Sequence, residues 1–168
     1  GEAICALKAA GLDVEIVSGD VLKPVAEAAR ELGISTFLAN RRPFDKIAYL
    51  EGLRTRGRNV LMVGDGLNDA PALAAAHVSM APSSGSDVGR QAADFVFAGE
   101  SLSVIPFCHR ISLVADRLVR QNIGIAVVYN CIAVPLALAG YVTPLVAAIA
   151  MSASSVVVVA NSMRLKLT

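Results

Sequence analysis

The sequence predicts a parallel α/β domain followed by a transmembrane helical hairpin. Three observations carry that prediction. Residues 1 to about 100 alternate strand-like and helix-like stretches at the spacing of βαβ units. One apolar stretch, "NVLMV", runs straight into the acidic glycine loop "GDGLND". Forty-three consecutive residues between Arg120 and Arg164 include no Asp, Glu, Lys, Arg or His.

The elements of the first half follow from local chemistry. "EAICALKAAG" reads as a helix that Gly11 ends, and "DVEIVSGD" as a short strand entering a polar turn. Pro24 fits the first turn of the helix "KPVAEAARELG", closed by Gly33. "STFLA" is a weak strand. Pro43 opens "PFDKIAYLEGLRTRG", and Gly57 ends it. After the buried strand "NVLMV" come a short helix "DAPALAAA", a strand "HVSMA", a helix "SDVGRQAA" and a last strand "DFVF". The predicted segments are 1–100 for the α/β part, 101–121 for a cytoplasmic linker helix, and 122–168 for two membrane helices and a tail.

Within the charge-free run, Ile123 to Tyr141 is nineteen residues and Pro144 to Met163 is twenty. At about 1.5 Å per residue each covers about 30 Å, the thickness of a bilayer core. "GYVTP" makes the turn between them. Arg117 and Arg120 precede the first helix, and Arg164 and Lys166 follow the second. Both ends are therefore expected on the cytoplasmic side of a cell (inner) membrane, in a multi-pass protein. The bland alternative, a buried hairpin of a soluble protein, does not suit so long a run without charge.

Bulk composition agrees. The chain is 55% hydrophobic and 17% charged, with a mean hydropathy of +0.59, too apolar for a wholly soluble protein. A net charge of +1 gives no basic surface for nucleic acid. Cys5, Cys108 and Cys131 are far apart and suggest neither disulfides nor a zinc site. The opening residues show no signal-peptide pattern and read as a helix already under way, so the chain is expected to be a piece of something longer.

Chemistry is expected at the carboxyl ends of the parallel strands. Ser18 with Asp20, and Asp65 with Asp69, both follow strands at that edge. Asp65 suits Mg²⁺, which takes one or two carboxylates plus phosphate and water. Gly64 and Gly66 would let the backbone approach a phosphate. Asn68 and Asp69 would begin a helix whose amides favour an anion. Ser18 offers a hydroxyl donor and Lys46 a fixed positive charge. Taken singly, a Ser-Gly turn is usually only a turn and a helical Lys is usually solvated; their order on one sheet is far more specific.

Those residues carry a resemblance. "SGD", then "PFDK", then "GDGLNDAPALAAA" resembles the phosphorylation domain of P-type ATPases, within the haloacid-dehalogenase-like fold. The resemblance implies that Asp65 and Asp69 hold Mg²⁺ and its water shell, and that Ser18, Lys46 and Asn68 hold an aspartyl-phosphate. It also implies ATP, bound mainly by an upstream domain. The phosphate acceptor of the family is the Asp of a D-K-T-G-T motif, which this sequence lacks; Asp45-Lys46 is followed by Ile-Ala-Tyr.

In the membrane run the polar residues are functional candidates by default. At about 100° per residue, Asn122 and Tyr129 share a face, Asn130 lies round from them, and Cys131 lies opposite, where packing explains it. Met151, Ser154, Ser155 and Asn161 fall in a broad stripe. For Ser154 and Asn161, helix-to-helix hydrogen bonding is an equally good reading. The spacing of Asn122, Tyr129, Asn130, Pro135, Met151, Ser154, Ser155 and Asn161 resembles the closing helices of Cu⁺-transporting heavy-metal P-type ATPases. The resemblance implies that Tyr129, Asn130, Met151 and Ser155 line the Cu⁺ path, completing a coordination begun by a C-P-C pair elsewhere. The thioether of Met151 suits a soft ion. Zn²⁺ and Cd²⁺ exporters of the superfamily usually place a charged residue in these helices. "HVSMAP" resembles the subgroup found with nitrogen-fixation genes that supplies copper to a haem-copper oxidase. Membrane lipid, a copper chaperone and oxidase-assembly proteins are the implied partners. His77 reads as a packed residue, and Cys108-His109 as a chance pair. The rival readings are a membrane-anchored binding or regulatory fragment, a pump for another metal such as Zn²⁺, and a soluble phosphatase.

Overall fold

A computed structural model describes residues 1–99 and 101–167. Glu100 and Thr168, the ends of two predicted segments, lie outside the described residues, as does the Lys166 side chain. The chain divides into two units, Gly1–Pro106 and the remainder from Phe107.

The first unit alternates as the sequence predicts: α1 (Glu2–Ala9), β1 (Glu15–Val17), α2 (Leu22–Glu31), β2 (Thr36–Leu38), α3 (Pro43–Thr55), β3 (Leu61–Val63), α4 (Ala70–Ala75), β4 (Val78–Pro82), α5 (Asp87–Ala92) and β5 (Phe95–Phe97). Gly11, Gly33 and Gly57 each take a left-handed φ just past α1, α2 and α3, where a side chain would be strained. Every strand pairing is parallel, but the strands form two sheets, β1-β2 and β3-β4-β5. Ile16 pairs with Phe37 in one, and Met62 with Ser79 and Ala81 with Val96 in the other. The single sheet implied by the alternation is thus interrupted between β1 and β3, each an edge strand.

Two apolar clusters hold these sheets. Ile4, Ala29 and Ile34 pack with Val14, Ile16, Leu32 and Phe37. Met80, Phe97 and Ile105 pack with Leu7, Val63 and Val104. Under β4 the buried Ser79 shares a bond pair with Asp94: its N–H donates to the carboxylate at 2.8 Å, and its hydroxyl accepts from the Asp94 N–H at 3.1 Å. The buried polar groups of Ser79 are thereby satisfied.

Two helices dominate the rest: α6 (Val104–Leu138) and α7 (Pro144–Met163), followed by a 3₁₀ turn (Arg164–Leu167). Both are long and apolar enough to cross a membrane. The predicted linker helix and first membrane helix are one continuous helix, because charged Arg117 and Arg120 change the solvent a helix suits and not its backbone. α6 ends at Leu138, short of the predicted Tyr141. Gly140 turns left-handed there, and the Tyr141 N–H bonds back to the Leu136 carbonyl at 3.1 Å. α7 keeps its predicted bounds, with the Thr143 hydroxyl accepting from the Val146 N–H.

Candidate functional site

The loops after β1, β2 and β3 meet the start of α3 in a cleft of about 950 Å³. Its lining includes all six residues expected to do chemistry: Ser18, Asp20, Lys46, Asp65, Asn68 and Asp69. Backbone bonds lace the first two loops together. Asn40 N–H donates to the Asp20 carbonyl at 2.8 Å, and Arg41 N–H to the Ser18 carbonyl at 2.9 Å. Asn40 takes a left-handed φ of 54° to make that turn.

Lys46 reaches the cleft because α3 turns it inward. It stands four residues before Leu50 on the same helical face, and both are buried. A buried ammonium needs a partner. The Lys46 Nζ is ion-paired with the Asp69 carboxylate, itself only 17% exposed. The neighbouring Asp45 acts locally. Its carboxylate accepts the Arg42 N–H at 2.9 Å and caps the start of α3.

Ser18 is also engaged. Its hydroxyl donates to Asp20 Oδ2 at 2.8 Å, and its Oγ accepts the Asp20 N–H at 3.1 Å. Donating to a phosphate would require the hydroxyl to leave Asp20. Asp65 stands differently: its carboxylate is exposed and, among the described residues, takes neither hydrogen bond nor ion pair. Its carbonyl is fixed by the Ser86 N–H at 3.0 Å.

The two glycines also answer to packing within the protein. A Cβ on Gly64 would lie 2.9 Å from Asp69 Oδ2, so Gly64 makes room for that carboxylate. A Cβ on Gly66, at φ +89°, would lie 2.0 Å from the Gly89 Cα of α5. Protein packs closely against the loop at both glycines. The start of α4 offers few free amides. α4 has six residues, its Ala70 N–H is bonded to the Gly66 carbonyl, and Pro71 has no N–H.

Among the described residues no three of His, Cys, Asp and Glu gather as a metal cage. The cleft fits Mg²⁺ in its usual manner, with Asp65 as free carboxylate and phosphate or water completing the shell. Sequence reading missed Arg41 and Arg42. Both line the cleft, and their exposed guanidinium groups are unpaired. The signal was present as "NRRP", directly ahead of the lysine motif.

The membrane residues are sorted, not gathered. Tyr129 is half-buried, whereas Asn130, Met151 and Ser155 are exposed. Adjacent helical residues are about 100° apart, and of Tyr129 and Asn130 only Tyr129 lies on the stripe covered within this chain. The Asn130 amide donates to the Ala126 carbonyl at 2.9 Å, and the Ser155 hydroxyl to the Met151 carbonyl at 3.1 Å. Cross-helix bonds occur lower down. Asn161 Nδ2 donates to Asn122 Oδ1 at 2.9 Å, and Asn122 Nδ2 to Ser162 Oγ at 2.9 Å. Hydrogen bonding is therefore what Asn161 does within this chain. Cys131, expected to pack, is exposed.

A parallel α/β unit with this carboxylate-and-lysine cleft is a haloacid-dehalogenase-like fold, here followed by a transmembrane hairpin. The haloacid dehalogenase-like hydrolase family matches residues 1–77. Other relatives match over nearly the whole chain. It is 53% identical to the nitrogen fixation protein FixI of Rhizobium meliloti over 98% of this chain and 22% of that protein. It is 41% identical to a copper-exporting P-type ATPase of Mycobacterium leprae, over 98% of this chain and 21% of that one. In structure it matches a zinc-transporting PIB-type ATPase in an E2.Pi state, with TM-score 0.87, 34% identity, and coverage of 98% of this chain and 27% of that chain. The chain is thus homologous over nearly its whole length to heavy-metal P-type ATPases, and spans about a fifth of the curated relatives it matches.

Proposed function

We propose that this chain is the part of an ATP-driven Cu⁺ pump that holds the phosphorylated site and closes the ion path. The observation that carries the reading is the cleft itself: Ser18, Lys46, Asp65, Asn68 and Asp69 come from separate loops to one place, in a chain that also carries the hairpin. The acceptor aspartate of such a pump would sit on a parallel strand against β1 and β3. Both are edge strands, and Leu61 of β3 is 41% exposed although parallel strands are normally covered.

In this reading Asp65 holds Mg²⁺, whose charge offsets that of the transferred phosphoryl group. Lys46 keeps a positive charge at the cleft, and Asp69 holds that ammonium in place. Ser18 passes its hydroxyl bond from Asp20 to a phosphate oxygen. Arg41 and Arg42 add positive charge at the mouth. Asn68 borders the same space. ATP binds mainly outside this chain.

For the cargo we favour Cu⁺. Met151 presents a thioether, 65% exposed, in a run without any charged side chain, and soft donors suit Cu⁺. By the positive-inside rule Arg117, Arg120, Arg164 and Lys166 favour both ends on the cytoplasmic side of the inner membrane, and in our reading the pump moves Cu⁺ out of the cytoplasm. Delivery toward oxidase assembly, from a chaperone, follows from the nitrogen-fixation resemblance of "HVSMAP". The test is metal-stimulated ATP hydrolysis by the full-length protein in lipid vesicles. Stimulation by Cu⁺ under reducing conditions is expected; stimulation by Zn²⁺ alone would replace the cargo, and none by either would remove the pump.

A further inference from the structure

We infer that Asn122 and Asn161 form a clasp that sets the register of the hairpin, pairs Tyr129 with Ser154 across its seam, and leaves Asn130, Met151 and Ser155 turned outward as a separate set. The role of that outward set rests on the Cu⁺ pump reading; the clasp and its register do not.

The clasp is reciprocal. Asn161 donates to Asn122 Oδ1 at 2.9 Å and lies 3.4 Å from Gln121 Oε1, while Asn122 donates to Ser162 Oγ at 2.9 Å. Ser162 passes its own proton to the Val158 carbonyl at 2.9 Å, and Arg164 donates to Asn161 Oδ1 at 3.3 Å. Each amide both gives and takes, so a one-residue slip, about 1.5 Å, breaks the set. The hydroxyls and amide of Asn130, Ser152 and Ser155 bond within their own helices and fix no register. Most of the remaining surface is Val, Ala, Ile and Leu, which slide against lipid or helix at little cost.

Register then determines what meets. The helices run antiparallel from the turn at Gly140. Seven residues inward from Asn122 is Tyr129; seven inward from Asn161 is Ser154. Both steps are about 10 Å and return to nearly the same helical face. All four residues are half-buried, as are Ile125 and Val158 between them. Ser155, one position on, points about 100° away and is exposed with Met151, one turn behind it. Ser154 is therefore a seam residue and Ser155 an outward one, although they are neighbours in sequence.

The experiment places the chain, with Cys5, Cys108 and Cys131 replaced by Ala, in lipid vesicles and introduces Ile125→Cys with Val158→Cys. Oxidative cross-linking of that pair is expected to be efficient. Asn161→Ala should lower the yield roughly three- to twenty-fold, the range one intramembrane hydrogen bond spans. Asn122→Ala should do the same, and the double variant should be no worse than either, as for residues acting as one unit. Unchanged yield in both single variants would overturn the clasp, whether or not the pump reading stands. In the full-length pump, Asn161→Ala should raise the Cu⁺ concentration for half-maximal ATPase at least about threefold with the maximal rate nearly kept. Met151→Ala is the control: if it leaves Cu⁺ activation untouched, the outward set does not line the copper path, while the cross-link result still decides the clasp. If Met151→Ala impairs activation and Asn161→Ala does not, the clasp does not position the outward set.

Discussion

Asp65 and Asp69 are four residues apart, yet their surroundings give them different work. Asp69 is held by Lys46 in a nearly covered pair, and Asp65 is free. Asp65→Ala should therefore abolish turnover of the full-length pump, by about a hundredfold or more for a lost metal ligand, while Cu⁺ binding in the membrane survives. Phosphoenzyme labelling beside copper titration checks both halves; normal ATPase activity in the variant would remove Asp65 from the Mg²⁺ site. Gly89 belongs to the same scale. A Cβ there would lie 2.3 Å from the Gly66 Cα and 2.8 Å from the Asp65 carbonyl, both backbone atoms that cannot swing aside. Gly89→Ala should cost about 1–3 kcal/mol, as overpacking does. Because the strain falls on the loop, it should also weaken Mg²⁺ activation of ATP hydrolysis. Denaturant titration and a Mg²⁺ activation curve separate those effects, and a stable variant with an unchanged curve would show that α5 does not support the loop.

Between elements, α3 and β1 are tied by a bond that reports on pH. The Tyr49 hydroxyl donates to Glu15 at 2.6 Å, and this bond, together with burial and the carboxylate's charge, raises the Tyr49 pKa above its ordinary 10.0 against a smaller opposing pull from Arg56. The protonated hydroxyl is the stabilising form. Its contribution is complete below pH 10 and is lost as pH climbs through the raised value. Tyr49→Phe should therefore be less stable than the parent at pH 8, with the difference shrinking above pH 10; denaturant midpoints from pH 8 to 11.5 measure it. Elements like these were legible wherever local chemistry decides them. Pro24 and Pro43 open helices, and Gly11, Gly33 and Gly57 close them, because those residues limit the backbone whatever surrounds it. The Lys46–Asp69 pair and the Gly66–Gly89 contact were not legible, since each depends on two distant segments meeting. The break between β1 and β3 was hidden for the same reason: alternation gives strand direction but not which edges pair.

For the whole molecule, the membrane run could be read from composition alone, but its faces could not, because each side chain's setting depends on the helix beside it. That difference decides how metal choice should be tested. Met151 and Ser155 stand one turn apart on the exposed side of α7, and Cys131 is exposed on α6. With Met163 at the end of α7, exposure alone thus offers Cu⁺ three sulfur donors in the charge-free run. The resemblance favours the Met151 thioether, which shares its face of α7 with Ser155, whereas Cys131 lies about 180° round α6 from Asn122 and has no place in the resemblance. Met151→Ala should lower Cu⁺ affinity or stoichiometry in the full-length protein and cut Cu⁺-stimulated ATPase by about tenfold or more, since a soft donor matters most for this ion. Asn130→Ala should weaken binding as well, as the resemblance implies, whereas Cys131→Ala should leave it near the parent level. Copper titration under reducing conditions, with each substitution in turn, is the measurement. If Cys131→Ala abolishes binding and Met151→Ala does not, the copper path runs along the opposite face of α6, and the outward set must be rebuilt around the cysteine.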